Sequence, residues 1–302
     1  PVYCANVETP EHSFVAEGVV ISNCSEVTSR DDSDICNLGS INLSRIESIS
    51  ELQEVVDMAT LFLLAGTVYT HVPYPQVEAV KDKNRRLGLG LMGVHDWLAQ
   101  RGKQYGPNEE LGQWLDCYAT STTIARGYAN RFGLNPPIKT RACAPTGTIG
   151  ILGETTTGIE PIFCVAYKRR YLHDNLWQYQ YVVDPAAKKL IEQGIDPCDI
   201  EDAYSLSAER RIDFQAWIQQ WVDQGISSTI NLPAPMEPAD SVKFGEMVYP
   251  YLKQLRGFTV YPNGARGVAQ PLTPWPIEDA LGYEGTVFEV DEESCINGVC
   301  GI

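Results

Sequence analysis

Positive charge is scarce in this chain. There are 23 Lys and Arg against 39 Asp and Glu, a formal net charge of −16 over 302 residues. A surface of that sign repels a phosphate backbone, so no polymeric nucleic acid is expected as a partner. A single nucleotide stays open, because a local nest of N–H groups can hold one phosphate inside an acidic protein. Long apolar runs are lacking as well. The most apolar stretch, Met58 to Val68, is short and broken by Thr60 and Thr67, so no membrane span is expected. The opening Pro1-Val2-Tyr3 has no basic segment ahead of an apolar one, so no secretory signal is expected. Nine cysteines make an odd count in a long chain. That argues against a disulfide framework and for cytoplasmic thiols, some of them redox-active. The few histidines show no metal-ligand spacing: His71, His95 and His173 read as structural, and no metal site is expected.

What is present suffices for a core: 44% of the residues are apolar. Residues 1–23 alternate apolar and polar around turn signals at Thr9-Pro10-Glu11 and Glu17-Gly18, a short β-hairpin pattern. Apolar positions recur at helical spacing from Leu52 to Tyr69. Further helices are expected from about Pro75 to Gln100, from Pro107 to Phe132 with Gly133 as the stop, and at Asp184–Gln193, Asp213–Gln224 and Ala239–Gln254. Ile138–Ala144, Ile226–Leu232 and Gly257–Tyr261 read as strands. Short strands alternating with long helices point to an α/β architecture. Gly88-Leu89-Gly90-Leu91-Met92-Gly93 matches G-x-G-x-x-G, but a charged helical stretch, Lys81 to Arg86, precedes it where a dinucleotide loop needs a strand. The expected reason for these glycines is close helix–helix approach. Cys117, Cys143 and Cys164 sit in apolar stretches and read as core; Cys198 follows a proline, and Cys4 lies in the hairpin.

Two chemistries meet at Asn23-Cys24. Upstream, Val2 to Phe14 and then Gly18-Val19-Val20-Ile21-Ser22-Asn23 resemble the C-terminal end of an intein. Asn can break the bond after itself by attacking its own carbonyl with its side-chain amide, and a following Cys is a competent acceptor. In that resemblance His12 polarises the cleavage site, and Ser22 stands where most inteins have His. The alternative for residues 1–23 is an ordinary hairpin.

Downstream, Cys24-Ser25-Glu26 and then Cys36-Asn37-Leu38-Gly39-Ser40-Ile41-Asn42-Leu43 resemble the radical-cysteine loop of a ribonucleotide reductase large subunit. The resemblance runs to Ile302. It implies the second half of a ten-stranded α/β barrel with a central cysteine loop, residues 24–290, behind an intein segment, 1–23, and ahead of a mobile redox tail, 291–302. Cys24 is then the thiyl radical and Glu26 the base for the 3′-OH. Cys36 is one cysteine of the reducing pair, its partner lying in the N-terminal half. Pro145-Thr146-Gly147-Thr148-Ile149 resembles the turn that holds the substrate phosphate, followed at the family's spacing by Gly158-Ile159-Glu160-Pro161. By itself Pro-Thr-Gly-Thr would be an ordinary turn. Cys295 and Cys300 match the swinging pair that re-reduces the active-site disulfide and is itself reduced by a thioredoxin-like protein; alone, they would be idle thiols or half a metal site. Only Tyr261 stands where subunits fed by a separate metal-containing subunit carry two tyrosines, so the resemblance is to the adenosylcobalamin-dependent class. The implied substrate is a ribonucleoside di- or triphosphate, and the implied partners are the reductase's N-terminal half and the rest of the intein. Two other readings stay open. One is a self-processing fragment without reductase activity. The other is a glycyl-radical enzyme on a related barrel, against which the Cys-rich end argues.

Overall fold

The computed structural model of the protein describes residues 13–16, 19–22, 26–174, 176–233, 237–263 and 271–289. His12, Asn23, Cys24, Cys4 and the segment 291–302 with Cys295 and Cys300 lie outside them. Strands β1 (Ser13–Ala16) and β2 (Val19–Ser22) pair antiparallel, Ser13 opposite Ser22. The expected hairpin pairing is therefore present over these two strands.

Five parallel segments follow in chain order. Strand β3 (Asn37–Asn42) runs beside β4 (Leu87–Met92), Asn37 opposite Leu87. Leu89 bridges in parallel to Arg141, and Cys143 to Ile226. The segment that Ile226 begins continues as β7 (Thr229–Leu232), which pairs in parallel with β8 (Thr259–Pro262), Thr229 opposite Thr259. Parallel neighbours need long crossovers, and helices supply them. Helix α1 (Ile49–Tyr69) is capped by the Ser48 hydroxyl, which accepts from Glu51 N–H at 3.2 Å. By length and mean hydropathy of 1.2 it could cross a membrane. Its Leu52, Val56, Leu63 and Leu64 are instead buried in the main core against Leu89 and Leu91 of β4. Each such side chain contributes about 1.5–3 kcal/mol.

Several expected boundaries shift. The stretch 75–100 is not one helix but α2 (Pro75–Asn84), β4 and α3 (Val94–Gln100). Arg85 turns left-handed at φ 43° and ends α2. The following Leu-Gly-Leu-Gly-Leu is buried on both faces, and a strand buried on both faces shows no alternation to read. The glycines serve strand packing, not helix approach. A Cβ on Gly90 would lie 2.6 Å from the Ala142 carbonyl oxygen. The stretch 107–132 is α4 (Glu109–Ala119) and α5 (Ser121–Arg131), divided at Thr120, whose hydroxyl donates back to the Cys117 carbonyl at 2.7 Å. Gly133, at φ 65°, is the expected stop. The strand expected at 138–144 forms only bridges.

The remaining elements are α6 (Gly147–Leu152), β5 (Ala166–His173), β6 (Leu176–Val183), α7 (Pro185–Glu192), α8 (Ala208–Ile218), α9 (Pro238–Val248), β9 (Leu272–Pro274), α10 (Ile277–Gly282) and β10 (Val287–Glu289). Helix α8 starts five residues before the expected 213 and stops at 218, which leaves Asp223 and Gln224 outside any helix. Strands β10, β6, β5 and β9 form a separate antiparallel sheet in that order.

Candidate functional site

The loop from Glu26 to Cys36 is tied down by one carboxylate. Asp34 Oδ2 accepts from Ser29 Oγ at 2.7 Å, from Asn84 Nδ2 at 2.9 Å and from Arg86 Nε at 2.9 Å. The Asp34 and Arg86 side chains are 3% and 4% exposed. Burying such a pair is tolerable only because its remaining donors are used: Arg86 Nη1 donates to Gln224 Oε1 at 2.8 Å. Asn84 and Arg86 flank the entry to β4, so the loop is fixed to the amino end of that strand.

Cys36 immediately precedes β3. A Cβ on Gly88 would sit 2.8 Å from its Sγ, so the glycine leaves the space the thiol fills. Burial pushes the Cys36 thiol up to about 12; Arg86 and the Gln224 side chain pull the other way, while Asp34 and Asp223 add to the rise. At neutral pH Cys36 is a protonated thiol. Glu26 is 4% exposed, and its carbonyl accepts from Gly225 N–H at 2.7 Å.

The turn Pro145 to Ile149 leads from the bridge at Cys143 into α6. Thr146 is left-handed at φ 53° and buried, and its Oγ accepts from Gly158 N–H at 2.8 Å. A non-glycine residue held in that region marks a site where the surroundings fix the backbone. Gly147, Thr148 and Ile149 are exposed, and first-turn N–H groups have no partner inside their own helix. Thr146 thus joins the two motifs. Glu160 closes the second by accepting from Thr229 N–H at 2.6 Å and Thr157 Oγ at 3.0 Å.

One short segment joins these parts, and sequence reasoning missed it. Asp223 accepts from the N–H groups of Thr140 and Arg141, the latter at 2.8 Å. Gln224 holds Arg86 and donates to the Leu87 carbonyl at 2.7 Å. Gly225 donates to Glu26, and its carbonyl accepts from Cys143 N–H at 3.1 Å. Glu26, Cys36 and the run into Pro145 therefore meet on Asp223-Gln224-Gly225. No local pattern distinguishes these three from the end of an amphipathic helix.

His95 and Asp96 at the start of α3 hold the second motif from the other side. His95 Nδ1 accepts from Ile162 N–H at 2.9 Å, and Asp96 Oδ2 accepts from Thr156 N–H at 2.9 Å. His95 is 3% exposed, and burial lowers its ring to about 4, so the imidazole is neutral. Its expected structural role stands. Cys117, Cys143 and Cys164 are buried, also as expected, while Cys198 is exposed.

A family model described as ribonucleotide reductase, barrel domain, matches residues 5–114 and 138–261. That is well over half of the chain, and the chain belongs to this family. The match begins within the segment read as intein, at residue 5. A protein of Mycobacterium phage D29 described as an adenosylcobalamin-dependent ribonucleoside-triphosphate reductase is 28% identical over 334 positions, covering 95% of this chain and 47% of that protein. The vitamin B12-dependent ribonucleoside-diphosphate reductase of Mycobacterium tuberculosis is 29% identical, covering 76% of this chain and 40% of the relative. A crystal structure of a B12-dependent (class II) ribonucleotide reductase superposes with a TM-score of 0.71 at 17% identity, over 86% of this chain and 41% of that one. At that identity the likeness speaks for the fold. The chain spans less than half the length of each of these relatives.

Proposed function

We propose that residues 24–290 are the carboxyl-terminal half of an adenosylcobalamin-dependent ribonucleotide reductase, preceded by the end of an intein, 1–23, and followed by a redox tail, 291–302. The five parallel segments are half of the ten-stranded barrel, and the N-terminal half supplies the rest. The substrate is a ribonucleoside di- or triphosphate; the relatives carry both names. The observation that carries this reading is Gly225, whose N–H and carbonyl tie Glu26 to Cys143, two residues ahead of the phosphate turn.

The chemistry follows from the residues. First-turn N–H groups of the exposed residues Gly147, Thr148 and Ile149, with the Thr148 hydroxyl, bind the substrate phosphate. Cys24, as a thiyl, abstracts the hydrogen from ribose C3′, because the S–H bond formed is of similar strength to the C–H bond broken. Glu26 takes the 3′-OH proton as the 2′-OH leaves. Cys36 and its partner in the N-terminal half supply two electrons and close to a disulfide. Cys295 and Cys300 reopen that disulfide by exchange and are reduced by a thioredoxin-like protein.

The residues present fit adenosylcobalamin. In the sequence Tyr261 has Val260 and Pro262 as its neighbours on β8, so there is no Tyr-Tyr pair at this point of the sequence. At the carboxyl ends of β7 and β8, Asn231 donates to Asn263 at 3.0 Å, and such amides match the amide-bearing rim of a corrin. Adenosylcobalamin would supply the radical chemistry that turns the Cys24 thiol into a thiyl.

At the amino end, Asn23 cyclisation assisted by His12 releases Cys24, which first accepts the upstream segment. Joined to the missing intein and reductase portions, the chain is cut after Asn23, and mass spectrometry of an Asn23→Ala precursor shows no cut. In the ligated enzyme, Cys24→Ser abolishes turnover and Glu26→Gln slows it by about 10²–10⁴-fold. Both are read as deoxynucleotide formed with adenosylcobalamin and no metal-containing subunit. Near-normal turnover by Cys24→Ser would overturn the reading.

A further inference from the structure

We propose that the face of the antiparallel sheet bearing Lys168 and Arg170 is the docking surface for this chain's own acidic segment, Asp291-Glu292-Glu293, so that the Cys295–Cys300 pair is parked beside the hairpin between uses. The docking stands on the sheet and on the sequence. Its use in turnover rests on the proposed redox role of Cys295 and Cys300.

The β5–β6 hairpin is an electrostatic exception. The chain carries a net charge of −16, yet β5 holds Lys168, Arg169 and Arg170 in a row, and neither β5 nor β6 has an Asp or Glu. The register sorts the side chains, because directly opposite residues share a face. Lys168 stands opposite Tyr181, Arg170 opposite Tyr179 and Leu172 opposite Trp177. Phe288 of β10 joins this face, also opposite Tyr179. Both cations lie over rings, Lys168 Nζ 3.8 Å from the Tyr179 centroid and Arg170 4.1 Å from that of Trp177. A ring holds a cation in place without neutralising it, so the face stays positive. At one end α10 covers it, where Ala280 packs with Ala166 and Val183. Toward the turn it is open: Leu172 is 54% and Trp177 40% exposed. On the opposite face Arg169 lies over Tyr171 at 5.4 Å. Asp174, the acid at the turn, is 3.6 Å from His173. A basic and apolar surface on a strongly acidic protein suits an acidic segment.

The course of β10 selects the occupant. It pairs antiparallel to β6, Val287 opposite Gln180 and Glu289 opposite Gln178, so it runs toward the turn, where Trp177 is the next residue of β6. Val290 follows in the sequence, then Asp291-Glu292-Glu293. These acids come two to four positions after Glu289, a reach of about 7–14 Å of extended chain. Neighbouring strands lie about 4.8 Å apart, so β5, two strands from β10, is about 10 Å away, and the long Lys168 and Arg170 side chains close part of that gap. A tether this short keeps the segment at an effective concentration on the order of millimolar or above. Surface ion pairs that are weak one by one then suffice to hold it.

The test is Glu-specific proteolysis of the full 302-residue chain. Mass spectrometry follows the cuts after Glu289 and after Glu293 separately, each rate divided by that of a free peptide of the same sequence in the same buffer. Docking makes the cut after Glu293 about tenfold slower at low salt than in about 0.5 M NaCl, because salt screens exposed pairs. Lys168→Gln with Arg170→Gln gives the fast rate at low salt and abolishes the salt dependence. Lys168→Arg with Arg170→Lys keeps the protection. A sheet that has merely loosened is recognised by a faster cut after Glu289, inside β10. In that event Asp291→Asn with Glu292→Gln decides alone, since it leaves the sheet untouched and must also give the fast rate at Glu293. Protection that survives these neutral variants, or that ignores salt, overturns the proposal. So does protection that disappears on dilution, which would put the segment on a second copy. The redox reading fails separately, if Cys295→Ser with Cys300→Ser in the ligated enzyme keeps full turnover with thioredoxin.

Discussion

Two β regions of this molecule obey different rules. The parallel segments from β3 to β8 are covered by helices, and β4 shows the result: an apolar run whose glycines set how closely neighbours approach. Polar side chains there are few, buried and tied together, as Asp34, Arg86 and Gln224 are. The antiparallel sheet is half-open. Lys168 and Arg170 on β5 lie over rings on β6, Lys168 Nζ 3.8 Å from the Tyr179 centroid and Arg170 4.1 Å from that of Trp177. Tyr179 stacks on Phe288 at 5.0 Å. The first region has little tolerance, because its buried polar groups share partners, as Ser29, Asn84 and Arg86 share Asp34, and removing one leaves the others unsatisfied. The second is built from redundant contacts. The proposed chemistry sits in the first.

The sharpest way to break this contrast is to remove the anion from the buried pair. Asp34→Ala leaves Arg86 charged and without its carboxylate, with Ser29 and Asn84 losing an acceptor. A cost of about 3–5 kcal/mol is expected, read as the shift in urea unfolding midpoint. A loss below 1 kcal/mol would mean water reaches Arg86 and the two regions are not so different.

Legibility in the sequence ran opposite to importance for chemistry. The β5–β6 hairpin has a short signal of its own, the alternation of Trp177-Gln178-Tyr179-Gln180-Tyr181, yet the expected elements do not include it. In the parallel region, Cys36, Glu26 and the 145–149 turn were reachable only through resemblance to a family. Nothing local marks a glutamic acid or a threonine as special. Gln224 was beyond reach, because its importance comes from Arg86, 138 residues away. Helix positions such as α1 and α7 were legible because a 3.6-residue period survives one-sided burial. The pattern fails where a strand is buried on both faces, and there β4 was taken for helix.

A pH titration gives the next effect. Burial holds the His95 ring near 4, against 6.5 when free. As pH falls below about 6.5 the unfolded chain takes up a proton that the folded chain refuses. Stability is therefore lost between about pH 6.5 and pH 4, and below that both states are protonated and the loss stops. The span corresponds to about 3 kcal/mol. His95→Gln, which can still accept from Ile162 N–H, has no such titration. The difference between the two proteins' unfolding free energies should change by that amount across the window. A parallel pair of curves would show that His95 is wetter than its burial implies.

Glycine substitutions sharpen the comparison on the backbone. In Gly90→Ala the new methyl meets the Ala142 carbonyl oxygen, a backbone atom that cannot turn aside. A loss of about 1–3 kcal/mol is expected. In Gly127→Ala, on α5, the methyl meets nothing within 4 Å, and the better helix former should gain about 1 kcal/mol. Thermal melts of the two variants should move in opposite directions.

The smallest effect belongs to the hairpin. Trp177 is 40% exposed and its ring lies under Arg170. Trp177→Ala removes that contact and part of an apolar face, but it leaves no buried polar group unpaired. The neighbouring stack of Tyr179, Phe288 and Tyr181 is untouched, with Tyr179 and Tyr181 5.8 Å apart. A cation–π contact at a half-open site is worth about 0.5–1 kcal/mol, so the unfolding free energy should fall by about 1 kcal/mol. The rate at which iodoacetamide alkylates Cys36 should not change, because among the described residues no hydrogen bond of the Asp34–Arg86–Gln224 network reaches β6. If Trp177→Ala instead alters Cys36 alkylation severalfold, the two regions are coupled, and the division between a rigid chemical half and a tolerant half is wrong.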